Sequence, residues 1–135
     1  MISVLDTTAF SAAMRQEDAI VTFLRSRSPG DIATVPPVVA EIEYGIQRLE
    51  AGSRRRELLE HHKQRLLDAV RVLDWLPDSS IRFGRIKAEL ERIGTPIDDM
   101  DVAIAAVAMS HDSEVVTANL AHFARIPNLA ARHWS

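Results

Sequence analysis

The sequence contains no cysteine, which excludes disulfides, thiolate zinc sites and a cysteine nucleophile together and leads us to expect a reducing, cytoplasmic setting. Long apolar runs are missing too. No stretch approaches the ~18 residues needed to cross a bilayer. The opening Met-Ile-Ser-Val-Leu-Asp has no basic segment and its apolar stretch stops at Leu5, so neither a signal peptide nor a membrane anchor is expected. His61, His62, His111, His122 and His133 show no zinc-type spacing and are assigned surface or packing roles. No G-x-x-x-x-G-K-[ST] occurs, so a nucleotide-binding P-loop is excluded. A surplus of positive charge is also lacking: 16 Lys and Arg face 19 Asp and Glu, a net charge of −3, whereas nucleic-acid binders usually carry a basic footprint.

The chain has 135 residues, 47% hydrophobic and 26% charged. That balance belongs to a folded globule rather than a disordered chain, and the length can bury about two-thirds of the unfolded surface. With no linker, repeat or low-complexity segment, one domain spanning residues 1–135 is expected. The charge is unevenly spread. Arg48, Arg54, Arg55, Arg56, Lys63, Arg65 and Arg71 form a basic stretch, while acids gather at Glu41 and Glu43 and at Asp98, Asp99 and Asp101. A basic flank beside an acidic centre suits a metal nuclease; the same arginines also read as the wet face of a helix.

Ile2 to Leu5 is short, apolar and partly β-branched, and reads as a buried parallel strand that ends in a functional loop at Asp6-Thr7-Thr8. The spacing predicts a helix over Ala12 to Ser26, stopped by Ser28-Pro29-Gly30, then a second strand over Ile32 to Val35. Pro36-Pro37 opens a helix with Val38, Val39, Ile42, Ile46 and Leu49 at helical spacing, placing Glu41 in its first or second turn. Arg54 to Ala69 reads as an antiparallel helix after the Ala51-Gly52-Ser53 break, and Val70 to Leu76 as a third strand. Asp78 or Ser79 is placed to cap a helix running to Ile93, and Asp98 to cap one whose face carries Val102, Ala105, Ala106 and Met109. Glu114 to Thr117 is the last strand. This alternation predicts an α/β domain with a mainly parallel central sheet flanked by helices.

In such sheets ligands bind beyond the carboxyl ends of the strands. Asp6 and Thr7 leave the first strand there, and Thr117 and Asn119 leave the last; Glu41, Asp99 and Asp101 sit in first turns of helices. An acid cluster without His or Cys suits Mg²⁺ or Mn²⁺, hard cations that bridge carboxylates to a phosphate and activate water for phosphodiester hydrolysis. On this reading Asp6 is the central ligand, Asp101 and Asp99 complete the set, and Glu41 binds the metal through water or orients the nucleophile. Thr7, Thr117 and Asn119 are placed to contact substrate. Each acid has a plainer reading: Asp98, Asp99 and Asp101 as charges at a helix N-terminus, Asp6 as a cap or turn residue, and Glu41 and Glu43 as helix surface.

Four segments taken in order, Leu5-Asp6-Thr7-Thr8, Ala40 to Gly45, Gly94 to Ala106 and Thr117 to Phe123, resemble the PIN-domain family, in particular its VapC-type toxins. The resemblance extends from Ile2 to Trp134. It implies a ribonuclease using Mg²⁺ or Mn²⁺, a homodimer, and a cognate VapB-like antitoxin, for which the helices spanning Val38 to Leu67 offer apolar faces. By that resemblance Asp6 is the first acid, Glu41 the second, Asp101 the Asp before Ile104-Ala105-Ala106, and Asp99 an extra acid two positions earlier. His122 stands where many members carry a further acid, and Thr8 where Asn is frequent.

Two rivals from other classes are set beside the nuclease. One is a PIN-like module that holds RNA or an antitoxin without efficient cleavage, motivated by His122 and the acidic net charge. Four crowded carboxylates count against it, because an idle site has no physical reason to keep charges that repel. The other is a phosphoacceptor α/β domain, opposed by the absence of a second Asp two positions after Asp6 and of a Lys after Val115 to Thr117.

Overall fold

The computed structural model describes residues 1–135. Five strands form one parallel sheet: β1 (Ser3–Leu5), β2 (Ile32–Thr34), β3 (Arg71–Val72), β4 (Glu114–Val116) and β5 (Ala131–Arg132), in the order β3-β2-β1-β4-β5. Central β1 pairs through Val4 with Ala33 on one side and Val115 on the other. Its three residues are all buried, as a strand covered on both faces requires. Seven helices flank the sheet: α1 (Thr7–Met14), α2 (Asp18–Arg25), α3 (Pro36–Gln47), α4 (Arg54–Ala69), α5 (Pro77–Arg92), α6 (Asp99–Ser110) and α7 (Leu120–Phe123). The expected α/β class and parallel sheet are present.

The punctuation residues act as their chemistry dictates. Pro36 opens α3 with no backbone donor to leave unpaired. Ser53 caps α4 by accepting from the Arg56 N–H at 3.2 Å, and Asp98 caps α6 by accepting from the Met100 N–H at 2.8 Å. α6 is buried almost all round from Val102 to Ala108, its small residues letting it lie close against the core. Phe10, Ile20, Ile104 and Phe123 fill the space around the sheet and are fully enclosed.

Several boundaries differ from expectation. No loop separates Asp6 from helix, since Asp6 itself caps α1. The single helix expected over Ala12 to Ser26 is two, α1 and α2, split at Arg15-Gln16-Glu17. Gln16 takes a left-handed φ of 55°; its N–H then bonds the Ala13 carbonyl at 3.0 Å and that of Glu17 bonds Ala12 at 3.2 Å, closing α1 with a Schellman motif. The third strand is only Arg71–Val72, because after Leu73 donates to the Thr34 carbonyl the chain turns away into α5. That helix starts at Pro77, one residue before the expected caps, and the Ser79 hydroxyl instead accepts from the Leu76 N–H at 3.0 Å. β5 and α7 were not expected; β5 exists by pairing with β4, with Arg132 opposite Val116.

Candidate active site

The carboxyl ends of β1 and β4 lie side by side, and the Asp6 N–H donating to the Val116 carbonyl at 3.1 Å closes the pair at its last rung. Asp6 is 1% exposed. Its Oδ1 accepts from the Ala9 N–H at 2.9 Å and the Thr8 hydroxyl at 2.6 Å, and its Oδ2 accepts from the Thr117 hydroxyl at 2.5 Å. These donors are themselves held: the Ala118 N–H donates to Thr8 Oγ1 at 2.9 Å and the Asn119 N–H to Thr117 Oγ1 at 2.8 Å. The turn after β4 is thereby laced to the start of α1. Burial pushes the Asp6 carboxyl above its ordinary range, against the pull of the Thr117 and Thr8 hydroxyls and the Ala9 amide.

Asp101, in the first turn of α6, is close enough to Asp6 to feel its charge. Burial is the largest influence and raises its carboxyl; the His122 ring opposes this, and the negative charges of Asp6 and Asp98 add to the rise. His122 Nδ1 lies 3.2 Å from Asp101 Oδ2, with the His122 side chain 45% exposed and that of Asp101 17% exposed. Glu41 enters from α3, where its Oε1 accepts from the Thr7 hydroxyl at 2.5 Å. Thr7 and Asp6 are neighbours, so this bond fixes Glu41 beside the pair.

The predicted site residues are therefore not equally placed. Asp6, Glu41 and Asp101 are brought to one edge of the sheet together with Thr7 and Thr117. Asp99 is turned elsewhere, two helical positions from Asp101 and ion-paired with Lys87 of α5 at 3.1 Å. Asn119 is exposed at the rim. Thr8, noted only as a departure from Asn in the sequence, is an anchor of Asp6, and its spacing two residues after the acid is the signal that could have marked it. As placed, no three His, Asp or Glu side chains stand close enough together to hold a metal ion. The donor chemistry still fits a hard cation, because all three acids offer oxygen and no lysine or arginine is bonded to any of them.

A parallel sheet carrying at its carboxyl edge a buried carboxylate, Asp6, whose charge raises the half-buried one of Asp101 defines an α/β domain built around an acidic centre. Residues 3–129 match the PIN domain family model, and the chain belongs to that family. It is 30% identical over 130 residues to Ribonuclease VapC2 of Haemophilus influenzae, covering 96% of each chain. It is 38% identical over 94 residues to the tRNA(fMet)-specific endonuclease VapC of Salmonella typhimurium, covering 70% of this chain and 68% of that one. Its fold superposes on the crystal structure of DNA-bound VapBC from Salmonella typhimurium with a TM-score of 0.89 at 27% identity, covering 100% of this chain and 99% of the other.

Proposed function

We propose that the chain is an endoribonuclease dependent on Mg²⁺ or Mn²⁺ and the toxin of a VapBC-type pair, working as a cytoplasmic homodimer under a VapB-like antitoxin. The observation that carries this reading is the Asp6–Asp101 pair, in which neither carboxylate, Asp6 buried and Asp101 half-buried, has a lysine or arginine partner and Asp6 raises the carboxyl of Asp101. Asp6 and Asp101 would hold a divalent cation, whose charge would offset that repulsion and which would supply polarisation of the scissile phosphodiester and a lowered pKa for an attacking water. Glu41, steadied by Thr7, orients the water by accepting its hydrogen bond, and Asn119 at the rim takes a phosphate oxygen. Thr7 and Thr117 have their hydroxyls committed to Glu41 and Asp6, so they position the acids under the substrate. Asp99 is the outlying member of the set, joining only if it leaves Lys87.

An antitoxin segment finds a cleft between α1, α3 and α4, lined by Met14, Ile42, Ile46 and Leu59 with Arg55 and Glu41 at its polar side. This suits an amphipathic helix that blocks the acids as it docks. The membrane plays no part in this reading, and no helix is long and apolar enough to cross one.

A second reading, a module that binds RNA or the antitoxin with little cleavage, draws on His122 occupying an oxygen of Asp101. One experiment separates the two. Wild type and the Asp6→Ala, Asp101→Ala and Asp99→Ala variants are incubated with total RNA in EDTA, Mg²⁺ or Mn²⁺, and cleaved ends are mapped by sequencing. Metal-dependent ends that vanish with Asp6→Ala and Asp101→Ala and largely persist with Asp99→Ala support the nuclease. RNA bound but uncut by folded wild type supports the binding module.

A further inference from the structure

Beside the acids, sharing Thr7 with the cleft that Glu41 lines, is a second cleft of about 440 Å³ lined by Thr7, Thr8, Ser11, Arg15, Glu17, Ala118 and Trp134. Trp134 is placed there by topology. The Thr117 N–H donates to the Arg132 carbonyl at 3.0 Å, so β5 ends level with β4, and two residues later the indole reaches the carboxyl edge of the sheet. The ring is not a loose C-terminal side chain. It packs partly against the core, and His133 stacks on it with centroids 4.2 Å apart and planes 20° from parallel. His133 is held in turn by the Ser135 N–H, which donates to its Nδ1 at 3.0 Å.

We propose that this cleft is a nucleobase subsite, in which Trp134 stacks a base of single-stranded RNA flanking the phosphodiester held at Asp6 and Asp101, and Arg15 takes the adjoining phosphate. The inference rests on the nuclease reading for its substrate but stands on different residues. Three features of the cleft select a nucleotide over an apolar peptide. An aromatic ring preset by its own stacking partner offers a π-face at little entropic cost. The wall is otherwise largely polar, formed by Ser11, by Thr7 and Thr8 with their hydroxyls donated to Glu41 and Asp6, and by the Glu17 carboxylate that pairs with Arg15. Arg15 has only an exposed ion pair with Glu17 at 2.6 Å, weak in water, which a phosphate readily replaces. The cleft also shares Thr7, Ser11 and Arg15 with the cleft that Glu41 lines, so the two form one track past the acids.

The sequence has two tryptophans, so Trp75→Phe leaves Trp134 as the sole indole reporter. In an Asp6→Asn, Trp75→Phe protein, octauridylate quenches the remaining tryptophan emission, and an abasic ribose-phosphate octamer does not. Followed by anisotropy of labelled octauridylate, Trp134→Leu weakens binding roughly 5- to 150-fold while Trp134→Phe keeps it within about 5-fold, with circular dichroism melts verifying that both variants are folded. Equal loss in the Leu and Phe variants, binding without quenching, or no binding of octauridylate overturns the subsite. Quenching by a protein whose wild type cleaves no RNA in either metal upholds the subsite and sinks the nuclease reading; cleavage without quenching does the reverse.

Discussion

The Thr117 hydroxyl at the end of β4 donates to Oδ2 of Asp6 at the end of β1 across 2.5 Å, while Thr117 Oγ1 accepts from the Asn119 N–H at 2.8 Å. One buried hydroxyl thus orients the first acid and shapes the turn that carries Asn119. Thr117→Val preserves the shape and removes both bonds, leaving a buried carboxylate oxygen short of a donor. The expected cost is about 1–3 kcal/mol, read as a lower urea midpoint at unchanged m-value, together with slower cleavage because Asp6 is free to rotate. Thr117→Ser, which keeps the hydroxyl, retains most of both. A Val variant as stable and active as wild type would show that the bond does not hold the acid.

Asp101 carries a pH signature. Burial lifts its carboxyl above the ordinary 3.8, and the Asp6 charge adds to the rise while His122 opposes it. A carboxyl raised in the folded state holds its proton more tightly there than in the unfolded chain, so its contribution is complete below 3.8 and lost as pH rises through the folded value. In EDTA near pH 7 Asp101→Asn therefore melts above wild type, and the gap closes as pH falls below the ordinary value. Mg²⁺ or Mn²⁺ then raises the wild-type melting temperature and leaves that of the variant nearly unchanged. Calorimetry across pH with and without metal checks both parts; a variant that melts below wild type at neutral pH would contradict them.

The break between α1 and α2 shows what was and was not legible in the sequence. α3 and α6 are marked by Pro36 and Asp98, residues whose chemistry signals a helix start locally, and α4 by the Ala51-Gly52-Ser53 break before it. Helix ends were less visible. α1, α5 and α6 all close with a residue at positive φ, but only α5 uses glycine, at Gly94; the others use Gln16 and Asp112, which carry no such mark. β5 and the approach of His122 to Asp101 depend on partners 16 and 21 positions away, and two- to four-residue elements have no periodicity to read. Gln16→Gly removes the steric cost of a left-handed side chain, so the variant is more stable by about 0.5–1 kcal/mol, measured by urea unfolding. A loss of stability would mean that the Gln16 side chain contributes contacts outweighing its backbone strain.

His122 holds the position from which Asp101 receives its only ring partner, 3.2 Å from Oδ2. His122→Asp exchanges that partner for a third carboxylate near two that already repel. Without metal the added charge pushes the Asp101 carboxyl higher and lowers the melting temperature near neutral pH. With metal the same charge is an additional oxygen donor for a hard cation, so Mg²⁺ binds about tenfold more tightly, a change of the size that ligand-shell substitutions produce. The two effects have opposite signs, and calorimetric metal titration with melts in EDTA reads them separately. A general loss of folding lowers both quantities, and an inert surface histidine changes neither; only a residue placed at the cation site destabilises the free protein while tightening the metal.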